Sequence, residues 1–139
     1  MIWKCVTLAS VCAVVLCALS CGHEQQLVSI QIQPSVETFG AANIPVSADR
    51  GLSVQLLAQG TYIHPPVTKD ITDKVTWFSD TPDLVTVTPT GLLTATGDGC
   101  GNGIVTATIV TNRSTGGLSS SGAEVAGSMT ATVVCFTGP

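Results

Sequence analysis

The chain has 139 residues, a length that fits one domain. Only 10% of them are charged, and the formal net charge is -4. Lysine and arginine total 5 and are scattered, so the clustered cations that phosphate backbones require are missing and nucleic acid is not an expected partner. The first element in chain order reads MIWKCVTLASVCAVVLCALSC, in which Lys4 precedes an uncharged, mostly apolar run from Cys5 to Leu19. A spanning helix needs roughly 20 apolar residues, so this run is short for a membrane crossing. A basic start, a short apolar stretch and a small residue before the break describe a cleaved secretory signal over residues 1–20.

The end of that segment, Ala18-Leu19-Ser20-Cys21, resembles the lipobox of bacterial lipoproteins. Ser20 fits the small position, and Cys21 fits the cysteine that is acylated and becomes the new N-terminus. The resemblance implies a lipid (palmitate or a similar acyl chain) on Cys21, a tether over residues 21–26, and the membrane as a partner through that lipid. Two acyl chains supply anchoring that one chain cannot. Gly22 provides no Asp-type inner-membrane retention signal, which by the same resemblance points to the outer membrane. The alternative is an ordinary cleaved signal with Cys21 kept as a plain thiol. Of the six cysteines, Cys5, Cys12 and Cys17 leave with the signal. If Cys21 carries lipid, Cys100 and Cys135 remain, and an exported protein favours pairing them.

Residues 27–139 show no amphipathic helix. Short runs rich in Val, Ile and Thr are separated by Gly, Pro, Asp and Asn, which reads as strands and turns. LVSIQIQP sets Val28, Ile30 and Ile32 on one face. LSVQLLAQGTY does the same for Leu52, Val54 and Leu56, and KVTWFS for Val75 and Trp77. LVTVTP contributes Val85 and Val87, and GLLTAT follows a Pro-Thr-Gly turn. IVTATIVT aligns Val105, Ala107 and Ile109; MTATVVCF aligns Ala131, Val133 and Cys135. Period-2 alternation buries one face of each strand and wets the other. About seven such strands with frequent turns predict an all-β sandwich.

The order of Gly60-Thr61-Tyr62, Asp70-Ile71-Thr72, Val75-Thr76-Trp77, Pro82, Thr86-Val87 and Gly91-Leu92-Leu93-Thr94-Ala95 resembles the bacterial immunoglobulin-like domain, group 2. The resemblance spans roughly residues 27–136. It implies an immunoglobulin-like β-sandwich of the kind found in surface adhesins and other exported proteins, with no catalytic site and no universal binding residue. Phe78 stands where the family commonly has Ser, His64-Pro65-Pro66 replaces a short polar turn, and Asn112–Gly127 is longer than the usual hairpin. Cys100 and Cys135 are not general features of the family.

The last two strands, near 103–111 and 128–136, should form an antiparallel hairpin. Pairing residue 109 near 130 sets 104 near 135 and brings Cys100 within a few residues of Cys135. A disulfide between them needs Cα atoms within about 7 Å. Separate thiols are the alternative; a metal pair would need two further ligands. His23 and His64 stand in no ligand spacing, so no metal and no cofactor is expected.

Catalysis needs a base within reach of a nucleophile. His23 falls in the tether and His64 in a Pro-rich loop, outside any such motif, so no catalytic residue is assigned and the protein is not expected to be an enzyme. Asp70, Asp73, Asp80 and Asp83 could supply oxygen ligands to calcium, but Asp is also favoured at turns for its local hydrogen bonds. Trp77 reads as a core residue beside Val75. Phe78 points to the opposite face and, with Tyr62 and His64, is a candidate surface contact for a protein or glycan. The Gly- and Ser-rich stretch 112–127 reads as a flexible loop. The first strand should begin at the end bearing that loop, which places the loop on the membrane side and the cysteine pair at the far end. The expectation is therefore a non-catalytic lipoprotein of the cell envelope acting as a binding or adhesion module. The alternatives are a structural component of the envelope or of a larger surface assembly and, a minor one, an enzyme subunit or hydrolase.

Overall fold

The computed structural model describes residues 25–111, 114–115, 118–119 and 122–138. The signal segment 1–20, Cys21 and His23 lie outside the described residues. Among the described residues twelve strands follow one another: β1 Gln26–Gln33, β2 Val36–Phe39, β3 Ser53–Gln55, β4 Leu57–Ile63, β5 Val67–Asp70, β6 Thr76–Ser79, β7 Val85–Val87, β8 Leu92–Ala95, β9 Gly101–Thr111, β10 Ser114–Thr115, β11 Leu118–Ser119 and β12 Ala123–Val133. One turn of 3-10 helix, Val46–Asp49, interrupts them. The protein is the expected all-β sandwich, with more strands than the sequence counts.

One layer is the four-stranded sheet β2-β12-β9-β6. Opposite it lie β1-β4-β5 and β3-β8-β7, which follow directly from one another because a single residue, Leu56, separates β3 from β4. Leu56 is fully buried at that switch, and its N–H donates to the Gly91 carbonyl at 2.8 Å. One core fills the space between: Ile30, Ile32, Leu56, Ile71, Val85 and Leu93 from one side meet Val105, Ala107, Met129, Ala131 and Val133 from the other. The layers approach closely at Gly127, where a Cβ would stand 2.9 Å from the Ile30 carbonyl carbon.

Alternation places most inward residues where the sequence puts them, with three corrections. Val28 is exposed and Leu27 takes its place in the core. A register shift between Leu27 and Ser29 on the β1–β4 ladder is the cause, since one extra residue reverses the facing of all that precede it. Leu52 is also exposed, because it lies in the turn after the 3-10 helix, with its N–H on the Asp49 carbonyl at 3.0 Å, rather than in β3. Cys135 lies beyond the end of β12 and is exposed rather than aligned with Ala131 and Val133.

A fourth correction, to register rather than facing, concerns the last hairpin. Ile109 faces Val125 and Ile104 faces Thr130, so the pairing is five residues away from the expected one. β12 starts at Ala123, and Ser114–Thr115 pairs with Leu118–Ser119 beyond it. Ala123, Glu124, Ala126 and Gly127 are weak strand formers, and they pair because the Val-, Ile- and Thr-rich β9 offers them a continuous template. The ladder ends with Gly101 opposite Val133, which brings the two cysteines together. Cys100 and Cys135 form a disulfide with a Cα–Cα distance of 5.0 Å. β2 runs parallel to β12 and follows directly on β1, so the tether end of β1 and the start of β12 share one end of the sandwich. The disulfide closes the opposite end.

The bridge joins residues 35 apart. A loop of that length is worth about 3–4 kcal/mol in the chain-entropy account. Cys100→Ser with Cys135→Ser should lower the unfolding free energy by that amount in urea, and the reductant sensitivity of the parent should vanish in the variant.

Candidate binding surface

Five of the motif residues, Asp70, Ile71, Thr72, Trp77 and Gly91, converge on one corner. The Thr72 hydroxyl accepts the Ala58 N–H at 2.9 Å and donates to Asp70 Oδ1 at 2.7 Å. Asp70 Oδ1 also accepts the Thr72 N–H at 2.9 Å. The Thr72 carbonyl accepts the indole N–H of Trp77 at 2.9 Å, and Ile71 N–H reaches the Ala58 carbonyl at 2.9 Å. Gly91 completes the corner at φ +81°, where a Cβ would stand 3.1 Å from both Thr72 Cγ2 and Trp77 Cζ2. Only glycine combines that left-handed backbone with that space. Ala58 is fully buried, so an unmet amide there would cost about 1–3 kcal/mol. Asp70, Thr72, Trp77 and Gly91 are thus engaged in holding β4, β6 and the β7–β8 turn together.

The Asp80 carboxylate serves the backbone too, while at Asp83 it is the main-chain carbonyl that is used. Asp80 Oδ1 accepts the Ile104 N–H at 2.7 Å and the Thr81 hydroxyl at 3.0 Å, prolonging the β6–β9 ladder and capping the next turn. The Asp83 carbonyl accepts the Thr96 hydroxyl. No group of three or more His, Cys, Asp or Glu could hold a metal ion among the described residues. His64 sits at the exposed β4–β5 turn with φ 63°. Asp49, which the sequence did not single out, is buried against Gly40, and its Oδ2 has no hydrogen-bond partner among the described residues.

Tyr62 and Phe78 stand in different sheets. Tyr62 shares the inward facing of Leu56, Ala58 and Gly60, packs half-buried against the core, and carries Lys69 Nζ 5.2 Å from its ring centroid. Lys69 also donates to Gln25 Oε1 at 2.5 Å, tying β5 to the residue before β1. Phe78 is exposed on the outer face of β2-β12-β9-β6. The structure therefore does not join Tyr62 and His64 to Phe78 in one aromatic patch.

Phe78 has other neighbours. The register sets Phe78 beside Thr106, Ile104 beside Thr130, and Thr130 beside Val36. Val110, beside Glu124, ends the same face. Phe78 (63% exposed), Val110 (62%), Val36 (59%) and Ile104 (49%) are the four most exposed large apolar side chains among the described residues. All four lie on this one face. Between them stand Thr38, Thr76, Thr106, Thr108, Thr130 and Thr132, and the strand residues facing outward here include one formal charge, Glu124 at the margin. This face, apolar side chains set among threonines, is the candidate binding surface of the domain. The sequence carried the signal in β9 and β6, where Ile104, Val110 and Phe78 occupy the positions alternate to the core residues.

No protein-family model matches the chain, and no curated protein matches it.

Asp70 is held below its ordinary carboxyl value of 3.8 by the Thr72 hydroxyl and amide, with a further contribution from the charge of Lys74. Its stabilising contribution is therefore complete above that value and is lost as pH falls through the lower folded-state value. The stability difference between the parent and Asp70→Asn should be flat above about pH 5 and shrink progressively as the pH falls below that. Urea unfolding of both proteins at a series of pH values checks this; a difference independent of pH down to full protonation would contradict it.

Proposed function

We propose that the protein is a non-catalytic lipoprotein of the bacterial cell envelope, a single immunoglobulin-like domain of the group 2 type that binds a partner through the outer face of β2-β12-β9-β6. The observation that carries this reading is the gathering of Phe78, Val110, Val36 and Ile104 on that one face. It is supported by the use of the other conspicuous side chains. Asp70, Thr72, Trp77 and Asp80 are spent on hydrogen bonds within the fold, whereas Phe78, Val110, Val36 and Ile104 extend from it into solvent. The Cys100–Cys135 disulfide agrees with an exported chain, since such bonds persist in oxidising compartments. The membership proposal rests on the ordered motif from Gly60 to Ala95, whose Asp70, Thr72, Trp77 and Gly91 meet at one corner.

The anchor reading rests on Ala18-Leu19-Ser20-Cys21. Acylation there would hold the domain by the end where β1 begins, with the disulfide directed away from the bilayer and the binding face standing upright, its strands running from the anchored end to the distal one. Labelled palmitate fed to a bacterium making the full chain is expected to mark the wild type and not Cys21→Ala, and the variant should leave the membrane fraction. An unlabelled wild type, or an unchanged location for Cys21→Ala, would overturn the anchor.

A further inference from the structure

We infer that the outer face of β2-β12-β9-β6 is covered by the same face of a second copy of this chain. The inference rests on the reading of that face as the binding surface and names its occupant.

Charge is the first argument. The face offers a charged partner almost nothing to pair with, since its outward strand residues include one formal charge, Glu124, at the margin beside Val110. A partner that buried its own lysines or carboxylates here would leave them unpaired, which is costly. The chain itself presents a partner surface free of that cost. Among the described strand residues of this sheet, the outward positions other than Glu124 carry no formal charge, so two copies of the face meet without like-charge repulsion at its centre.

Geometry is the second. β9 and β12 each have 11 residues, and β2 and β6 flank them with 4 each. At standard strand spacing and rise this is a face of roughly 500 Å². Two such faces bury about 1,000 Å² together, the lower limit for a specific protein interface. Threonine rows with Val36, Ile104, Val110 and Phe78 between them form a pleated surface that can interdigitate with another sheet, as the two layers already do inside the domain. A two-fold contact needs only one self-complementary patch. Lipid anchoring confines copies to one plane and raises their effective concentration, which offsets the small area.

The test uses two differently tagged copies of the full chain in one bacterium, each with a photo-crosslinking residue at Phe78 or, separately, at Val110. Both positions are exposed, so folding does not depend on them. The same residue at Leu52, outside this face, is the control. The expected result is a product of twice the chain mass carrying both tags from positions 78 and 110 and not from 52. Ile104→Lys, which sets a cation in the middle of both faces, should abolish it. A crosslink from 78 and 110 to a different envelope protein would overturn the second copy while leaving the binding-face reading standing. The absence of any crosslink from either position would overturn both.

Discussion

The ladder between β9 and β12 is the constraint on which the rest of the structure depends. Its register decides which side chains enter the core, which form the outer face, and whether the cysteines meet. With Met129 opposite Val105 and Ala131 opposite Gly103, the small and branched inward residues fill the space under β1. A slip of one residue would bury Ile104, Thr106 and Thr108 in place of Val105, Ala107 and Ile109. That exchange would carry threonine hydroxyls into a core that has no partners prepared for them. The disulfide fastens the end of the ladder beyond Gly101 and Val133, so the covalent bond and the side-chain pattern select the same pairing.

The second layer is fixed by hydrogen bonds more than by length of strand. β3, β7 and β8 have only three or four residues each, too few to hold a sheet by pairing alone. Thr72 compensates by joining Ala58, Asp70 and Trp77, while Gly91 lets the β7–β8 turn approach Leu56. Rigidity at this corner supports β6 from behind through Trp77. Phe78 is the next residue, on the other side of the same strand. Core and face are thus built from neighbouring residues with opposite roles.

Much of this was legible in the sequence, because period-2 alternation is a direct consequence of strand geometry. Val105, Ala107, Val85 and Val133 were readable as core for that reason. Val28 was not, since a bulge leaves no mark in a run that is apolar at both parities. The hairpin register was not, since Gly and Ser in the 112–127 stretch look like a loop whether or not they pair. Tyr62 was misjoined to Phe78 because the two stand near each other in the motif, whereas strand facing and sheet membership decide contact. The disulfide was legible from cysteine arithmetic even though the register argument was displaced. The breadth of the outer face needed β2, which no sequence pattern placed beside β12: its parallel pairing brings Val36 into line with Thr130.

Everything proposed for the outer face requires it to be covered in the cell. Hydroxyl-radical footprinting of the full chain, in intact envelopes and again after dilution in detergent, tests it most directly. Phe78, Val110 and Ile104 should be shielded in the envelope and become reactive on dilution, while Leu92 and Phe136 should react equally in both. Equal reactivity of Phe78 and Val110 in the two states would contradict it.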